Sequence, residues 1–209
     1  MKKSVLKCFV LAAVCVSALP VTAGASTVRI QEVLYDGIGS DADDVFTELS
    51  GTPGLSLDGW SLQGVNGNNG EVYRTLALDG VVIPEDGLLL IATSSAHAGL
   101  AAVADFFANV DWQNGPDAVQ LWLDGVLMDA LQYGDAGSFN AGEGSAASLA
   151  AAGESLSRDI LGTDTGNNLA DFGAGLPSPG VGPAPVPLPA AAWLLLSAIA
   201  STRLLQQRR

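Results

Sequence analysis

From Thr27 onward, apolar and polar residues alternate with a period of two rather than 3.6. This is the spacing of a strand with one buried face. Seven strand-length stretches carry it: TVRIQEVLY, DVFTELS, GWSLQG, EVYRTLAL, GLLLIAT, DAVQLWL and VLMDALQY. They are rich in Val, Leu and aromatic residues and are separated by Gly, Asn, Asp or Pro, so the pattern predicts an antiparallel β-sandwich. An eighth strand is expected around Ser155 to Arg158. The turns have matching chemistry. NGNNG at Asn66 to Gly70 tolerates positive φ, and LDG recurs at Leu57, Leu78 and Leu123, with Asp79-Gly80 and Asp124-Gly125 placed as hairpin turns.

Three segments depart from this pattern. Ser94 to Val110 (SSAHAGLAAVADFFANV) has serine at an N-cap position followed by good helix formers, which predicts a short inserted helix. Gly134 to Gly153 is rich in small residues and reads as a long loop. Leu176 to Pro189 (LPSPGVGPAPVPLP) reads as an extended, semi-rigid spacer.

The two ends do not belong to the sandwich. Lys2, Lys3 and Lys7, the apolar run CFVLAAVCVSALPV and the small residues Ala23 to Ala25 form the three regions of a secretory signal peptide, with cleavage expected after Ala25. Its removal takes away Cys8 and Cys15, the chain's two cysteines, and so excludes Cys catalysis, Cys-ligated zinc and a disulfide framework from the mature body. At the other end, Val186 to Thr202 is apolar and is followed by Arg203, Arg208 and Arg209. Those 17 residues would make about 25 Å of helix against a hydrocarbon core of about 30 Å, a marginal span. Both basic ends would stay on the cytoplasmic side and the body outside.

With the ends set aside, the body holds Arg29, Arg74 and Arg158, no lysine, and all 22 Asp and Glu, a formal charge of −19. Such a surface repels phosphate backbones, so a nucleic-acid partner is not expected.

Several motifs, in order along the chain, resemble the bacterial exported lamin tail domain: VRIQEVLYDGIGSDADDVFTEL, LSLDGWSLQG, IPEDGLLLIA, NGPDAVQLWLDGVLMDALQYG, GEG and GESLSRDILGTDTGNNLADF. They span about Val28 to Phe172. The resemblance implies an immunoglobulin-like fold. The chain departs from the family in ELSGTPG, which lacks the Asn common after F-x-E-L, and in the Ala-rich insert at Ala96 to Ala108. The tail resembles a second family, the PEP-CTERM-like sorting signals of Gram-negative bacteria, in their VPLPA form. Val186, Pro187, Leu188, Pro189 and Ala190 match the pentapeptide, and the apolar helix and the three arginines follow it. This resemblance implies a partner, an exosortase-type membrane transpeptidase that cuts near the pentapeptide.

The domain organisation expected is therefore residues 1–25 signal peptide, 26–175 sandwich, 176–185 spacer and 186–209 sorting signal with a single apolar helix. His97 is the only histidine, which leaves no His-pair metal site, and no G-x-S-x-G elbow accompanies it; a surface or cap position is expected. Glu32 and Glu48 lie mid-strand in apolar surroundings; the expectation is that they accept hydrogen bonds, with a carboxylate-pair hydrolase as the alternative. DGIGSDADD gathers Asp36, Asp41, Asp43 and Asp44, oxygen ligands suited to calcium, but its spacing is not that of an EF-hand, and a solvated acidic turn is the simpler reading. GTDTGNN, Gly162 to Asn168, is a weaker candidate of the same kind. Trp60 and Trp122 are expected in the core and Trp112, beside Asn114 and Gly115, at the surface.

The function expected is that of an exported, non-enzymatic structural or adhesion module of the cell envelope or extracellular matrix. It would be anchored transiently in the inner membrane before its tail is cut. The alternatives are a calcium- or exopolysaccharide-binding module and an envelope hydrolase.

Overall fold

The computed structural model describes residues 28–134 and 137–181. Ala23 and Ala25 of the expected signal cleavage site, and Val186 to Ala190, Arg203, Arg208 and Arg209 of the expected sorting signal, lie outside these residues.

Ten strands and three single-turn helices follow one another: β1 (Arg29–Leu34), α1 (Asp41–Asp44), β2 (Phe46–Ser50), β3 (Trp60–Asn66), β4 (Val72–Ala77), β5 (Leu88–Ala92), α2 (Ala98–Ala101), β6 (Phe106–Phe107), β7 (Asp117–Leu123), β8 (Val126–Tyr133), β9 (Ser155–Arg158), α3 (Asn168–Asp171) and β10 (Phe172–Gly175). They form a six-stranded sheet, ordered β10-β9-β1-β2-β5-β6, and a four-stranded sheet, ordered β4-β3-β7-β8. All eight expected strands are present. The pairing is antiparallel except between β5 and β6.

One core fills the space between the sheets. It joins Ile30, Val33, Leu49, Leu89 and Ile91 of the first sheet to Trp60, Leu62, Val119, Leu121, Leu131 and Tyr133 of the second. Tyr35 and Tyr133 stack within it, centroids 4.0 Å apart. The alternation along β1 is interrupted by a register shift between Ile30 and Glu32. The extra residue lets Ile30 and Val33 both reach the core while Glu32 and Leu34 turn outward.

The outer face of the six-stranded sheet is also covered. Leu34, Phe46, Leu90 and Ala92 form a second apolar cluster with Val45 and Leu100. This explains why β5 is a continuous apolar run, LLLIA, buried at every position: a strand covered on both faces has no polar side to alternate with.

The inserted helix is much shorter than its sequence suggests. Only Ala98–Ala101 is helical, and His97, not a serine, is its N-cap, accepting the Gly99 and Leu100 amides at 3.1 and 3.3 Å through Nδ1. Beyond it the chain turns extended as β6. Asp105 there accepts the Leu90 amide at 2.9 Å, which ties the segment to the sheet edge and ends the helix.

Leu176 to Val181 is not an extended linker. Ser178-Pro179-Gly180-Val181 forms a turn closed by the Val181 amide on the Ser178 carbonyl at 3.0 Å, with Gly180 at φ +73°. Proline followed by a left-handed glycine is the type II signature. The turn folds onto the outer face of the six-stranded sheet. Among the described residues no helix is long and apolar enough to cross a membrane; the apolar tail lies outside them.

Candidate functional site

Glu32 and Glu48 are direct cross-strand neighbours on β1 and β2, facing away from the core and beneath the Ser178–Val181 turn. Glu32 Oε1 accepts the Ser155 hydroxyl at 2.6 Å and the Ser178 amide at 2.8 Å, and its Oε2 accepts the Ser178 hydroxyl at 2.7 Å. Glu48 Oε2 accepts the Gly180 amide at 2.6 Å, while its Oε1 is buried without a partner. The two residues are 2% and 0% exposed. Burial pushes the Glu48 carboxyl up to about 7; the Gly180 amide opposes this, and the charges of Glu32, Asp86 and Asp105 add to it. The arrangement is the hydrogen-bonded one expected from the sequence. A hydrolase would need both carboxylates to meet substrate in an open cleft, and that space is filled by the turn.

A second constellation lies where β8 meets β9 and α3. Arg158, 4% exposed, donates through Nε to the Ile30 carbonyl at 3.0 Å, through Nη1 to the Thr163 carbonyl at 2.8 Å and through Nη2 to Asp129 Oδ1 at 2.8 Å. Its guanidinium lies 4.3 Å from the Phe172 ring centroid. Asp129 also accepts the Ile30 and Ala130 amides at 2.7 and 2.9 Å, so the pair ties β8 of one sheet to β1 and β9 of the other. Burial raises the Asp129 carboxyl, and Arg158 and the Ile30 amide pull it back. Asp171 is 3.5 Å from Nη1 of Arg158. Burial works to raise its carboxyl as well, but the Thr165 hydroxyl and amide, the Asn167 amide and Arg158 outweigh it and hold it low.

Asn168, fully buried, staples the same region: its side chain accepts the Gln132 and Glu143 amides at 2.9 and 3.0 Å and donates to the Ala130 carbonyl at 2.7 Å. A Cβ on Gly142 would stand 2.4 Å from Asn168 Oδ1 and 2.8 Å from the Gln132 backbone nitrogen. Glycine is therefore required at the head of the GEG sequence.

Among the described residues, one group of three carboxylates brings its oxygens within 4.8 Å of one another: Glu143, Asp164 and Asp171. Burial, then the charges of Asp129 and Asp164, push Glu143 up to about 7. These three residues are the ones placed to share a hard cation. Positive charge is already present from Arg158 and from Arg29, whose Nε lies 3.1 Å from Asp164. The sequence pointed only weakly here, through GTDTGNN; Glu143 and Asp171 come from outside that motif.

The expected calcium candidates behave differently. Asp41 and Asp44 accept the Gly37 and Ile38 amides at 3.1 and 3.0 Å, Asn114 donates to both Asp36 and Asp41, and Asp43 is exposed. Their oxygens hold the loop together rather than converging on one point. His97 is exposed, with Nε2 3.9 Å from Asp44.

The tryptophans are only partly as expected. Trp60 is in the core, but Trp112 is 1% exposed. Its indole turns back from the loop to donate to the Thr47 hydroxyl at 2.9 Å, so it is a core residue and not a surface one. Trp122 sits half-buried on the outer face of the four-stranded sheet, donating to Gln120 at 3.1 Å, because the alternation along β7 gives the core positions to Val119 and Leu121.

The class defined by these features is a β-sandwich with buried, hydrogen-bonded carboxylates. Beyond that class, no known protein family, no characterised protein and no solved structure matches the chain.

Proposed function

We propose that this protein is an exported, non-enzymatic module of the cell envelope or extracellular matrix, immunoglobulin-like and related to the lamin tail domain, and processed at its C-terminus by an exosortase-type transpeptidase. The observation that carries the reading is the order of parts along the chain. A signal-peptide pattern precedes the lysine-free acidic body, and the body is followed by VPLPA, an apolar stretch and three arginines. The use of the buried carboxylates supports a structural role, since Glu32, Glu48, Asp129 and Asp171 hold backbone amides and hydroxyls within the chain.

Deleting Val186 to Arg209 and fractionating the producing cells tests this reading. The truncated protein is expected to lose both its transient membrane association and its normal destination; unchanged processing and location would refute it. The rival reading, a calcium- or exopolysaccharide-binding module, draws on Glu143, Asp164 and Asp171. It requires the melting temperature of the protein to rise with calcium or with the producer's polysaccharide, and no rise with either removes it.

A further inference from the structure

The Ser178–Val181 turn ends the described residues, within the spacer that precedes the tail, and three hydrogen bonds dock it on one pair of neighbouring carboxylates. The turn carries no ionisable side chain. The charged groups facing Glu48 are all acids: Glu32 on β1, Asp86 in the turn before β5 and Asp105 before β6. Among the described residues no cation stands with them to compensate, and Glu48 Oε1 is sealed under the turn without a partner.

Docking also fixes a length. Val186 lies five positions beyond Val181, a reach of about 17 Å at the extended limit of the chain. With the turn released back to Gly175, the end of β10, Val186 lies eleven positions on, a reach of about 37 Å. A membrane-embedded enzyme must reach the pentapeptide where the tail enters the bilayer. A folded body held within the shorter distance crowds that approach.

We propose that the Ser178–Val181 turn is a proton-sensitive latch, held by Glu32 and Glu48, that sets the distance between the sandwich and the tail and thereby regulates tail processing. This rests on the processing reading above. The docked turn keeps Glu48 away from water, so docking favours the protonated carboxyl. Opening exposes Glu48 to water, which favours its ionised form. The latch therefore holds at acidic pH and loosens as pH rises toward 7, where the carboxyl loses its proton in the docked state.

Hydrogen exchange on the full chain in detergent, corrected for intrinsic rates, tests the latch directly. Protection of the Gly180 amide is expected to fall by up to about tenfold per pH unit between about pH 5 and 7, the limit for one linked proton. Glu48→Gln keeps an acceptor for that amide and removes the proton, so it should hold the turn with no pH dependence. Gly180→Pro removes the donor and forbids the positive φ within the turn alone. It should expose residues 176–181 at every pH while β2 amides stay protected, and should speed conversion of the precursor in cells.

Gly180 protection that does not change with pH, or a Glu48→Gln protein that keeps the wild-type pH profile, overturns the latch. Unchanged conversion of Gly180→Pro overturns its control of processing. A tail that is never cut in any variant refutes the processing reading and leaves the exchange result standing, so the two failures are distinguishable.

Discussion

Two buried acidic centres, one between the sheets and one on the outer face of the six-stranded sheet, solve the same problem in opposite ways. At the β8–β9–α3 junction, Asp129 and Asp171 are matched by Arg158, whose three nitrogens all have partners. Under the Ser178–Val181 turn, Glu32 and Glu48 have only backbone amides and hydroxyls, and one Glu48 oxygen has nothing. The first joins the two sheets through Asp129 and the Ile30 amide. The second joins the sheet to a segment that the sandwich does not need in order to close. Compensated charge thus marks the permanent joint, and uncompensated charge marks the conditional one.

The sharpest way to break this comparison is to remove the cation. Arg158→Met leaves Asp129 buried without its partner and should cost about 3–5 kcal/mol in chemical denaturation, because a buried charge is stranded. A loss under about 1 kcal/mol would mean that water or a proton compensates Asp129 with little penalty. Next in size, Asn168→Ala strands two amides and a carbonyl and should cost about 2–3 kcal/mol by the same assay. Trp112→Phe keeps most of the ring but leaves the Thr47 hydroxyl unpaired, and should cost about 1–2 kcal/mol.

The pH dependence sharpens the contrast. The Glu48 carboxyl rises from its ordinary 4.5 to about 7 on folding. Its contribution to stability is therefore complete below the unfolded value and is lost as pH rises through the folded one. Glu143, also raised to about 7, acts in the same direction. Asp171 is held low, so its contribution is lost on the acid side. Thermal denaturation should show stability falling between about pH 5 and 7, and Glu48→Gln should flatten part of that slope. A flat wild-type profile would remove the distinction between the two centres. The smallest global effect is expected from Ser178→Ala, about 0.5–1 kcal/mol for one part-buried hydrogen bond to Glu32; its mark is faster proteolysis at residues 176–181.

Eight of the ten strands were legible, most through a period of two, and even β5, with no alternation, stood out as a short apolar run between turns; β6, inside the expected helix, and β10, after α3, were not. What the sequence could not display was the return of a chain segment onto a surface. Trp112 sits in a loop by its neighbours and in the core by its side chain, and only Thr47, 65 positions away, reveals why. Pro179-Gly180 reads equally as spacer or turn until Glu32 and Glu48 are seen beneath it. Glu143 and Asp171 meet Asp164 only because Asn168 pins the 140s loop against β8. The mid-strand Glu32 and Glu48 were recognisable as hydrogen-bonded residues, but their donors lie up to 146 positions away.

The central claim is that the body is delivered outside the cytoplasm and loses its tail there. Intact mass spectrometry of the protein recovered from its producing cell tests it most directly. The account predicts a mature chain beginning at Ser26 and ending near Val186 to Ala190. A chain that still ends at Arg209 would contradict it.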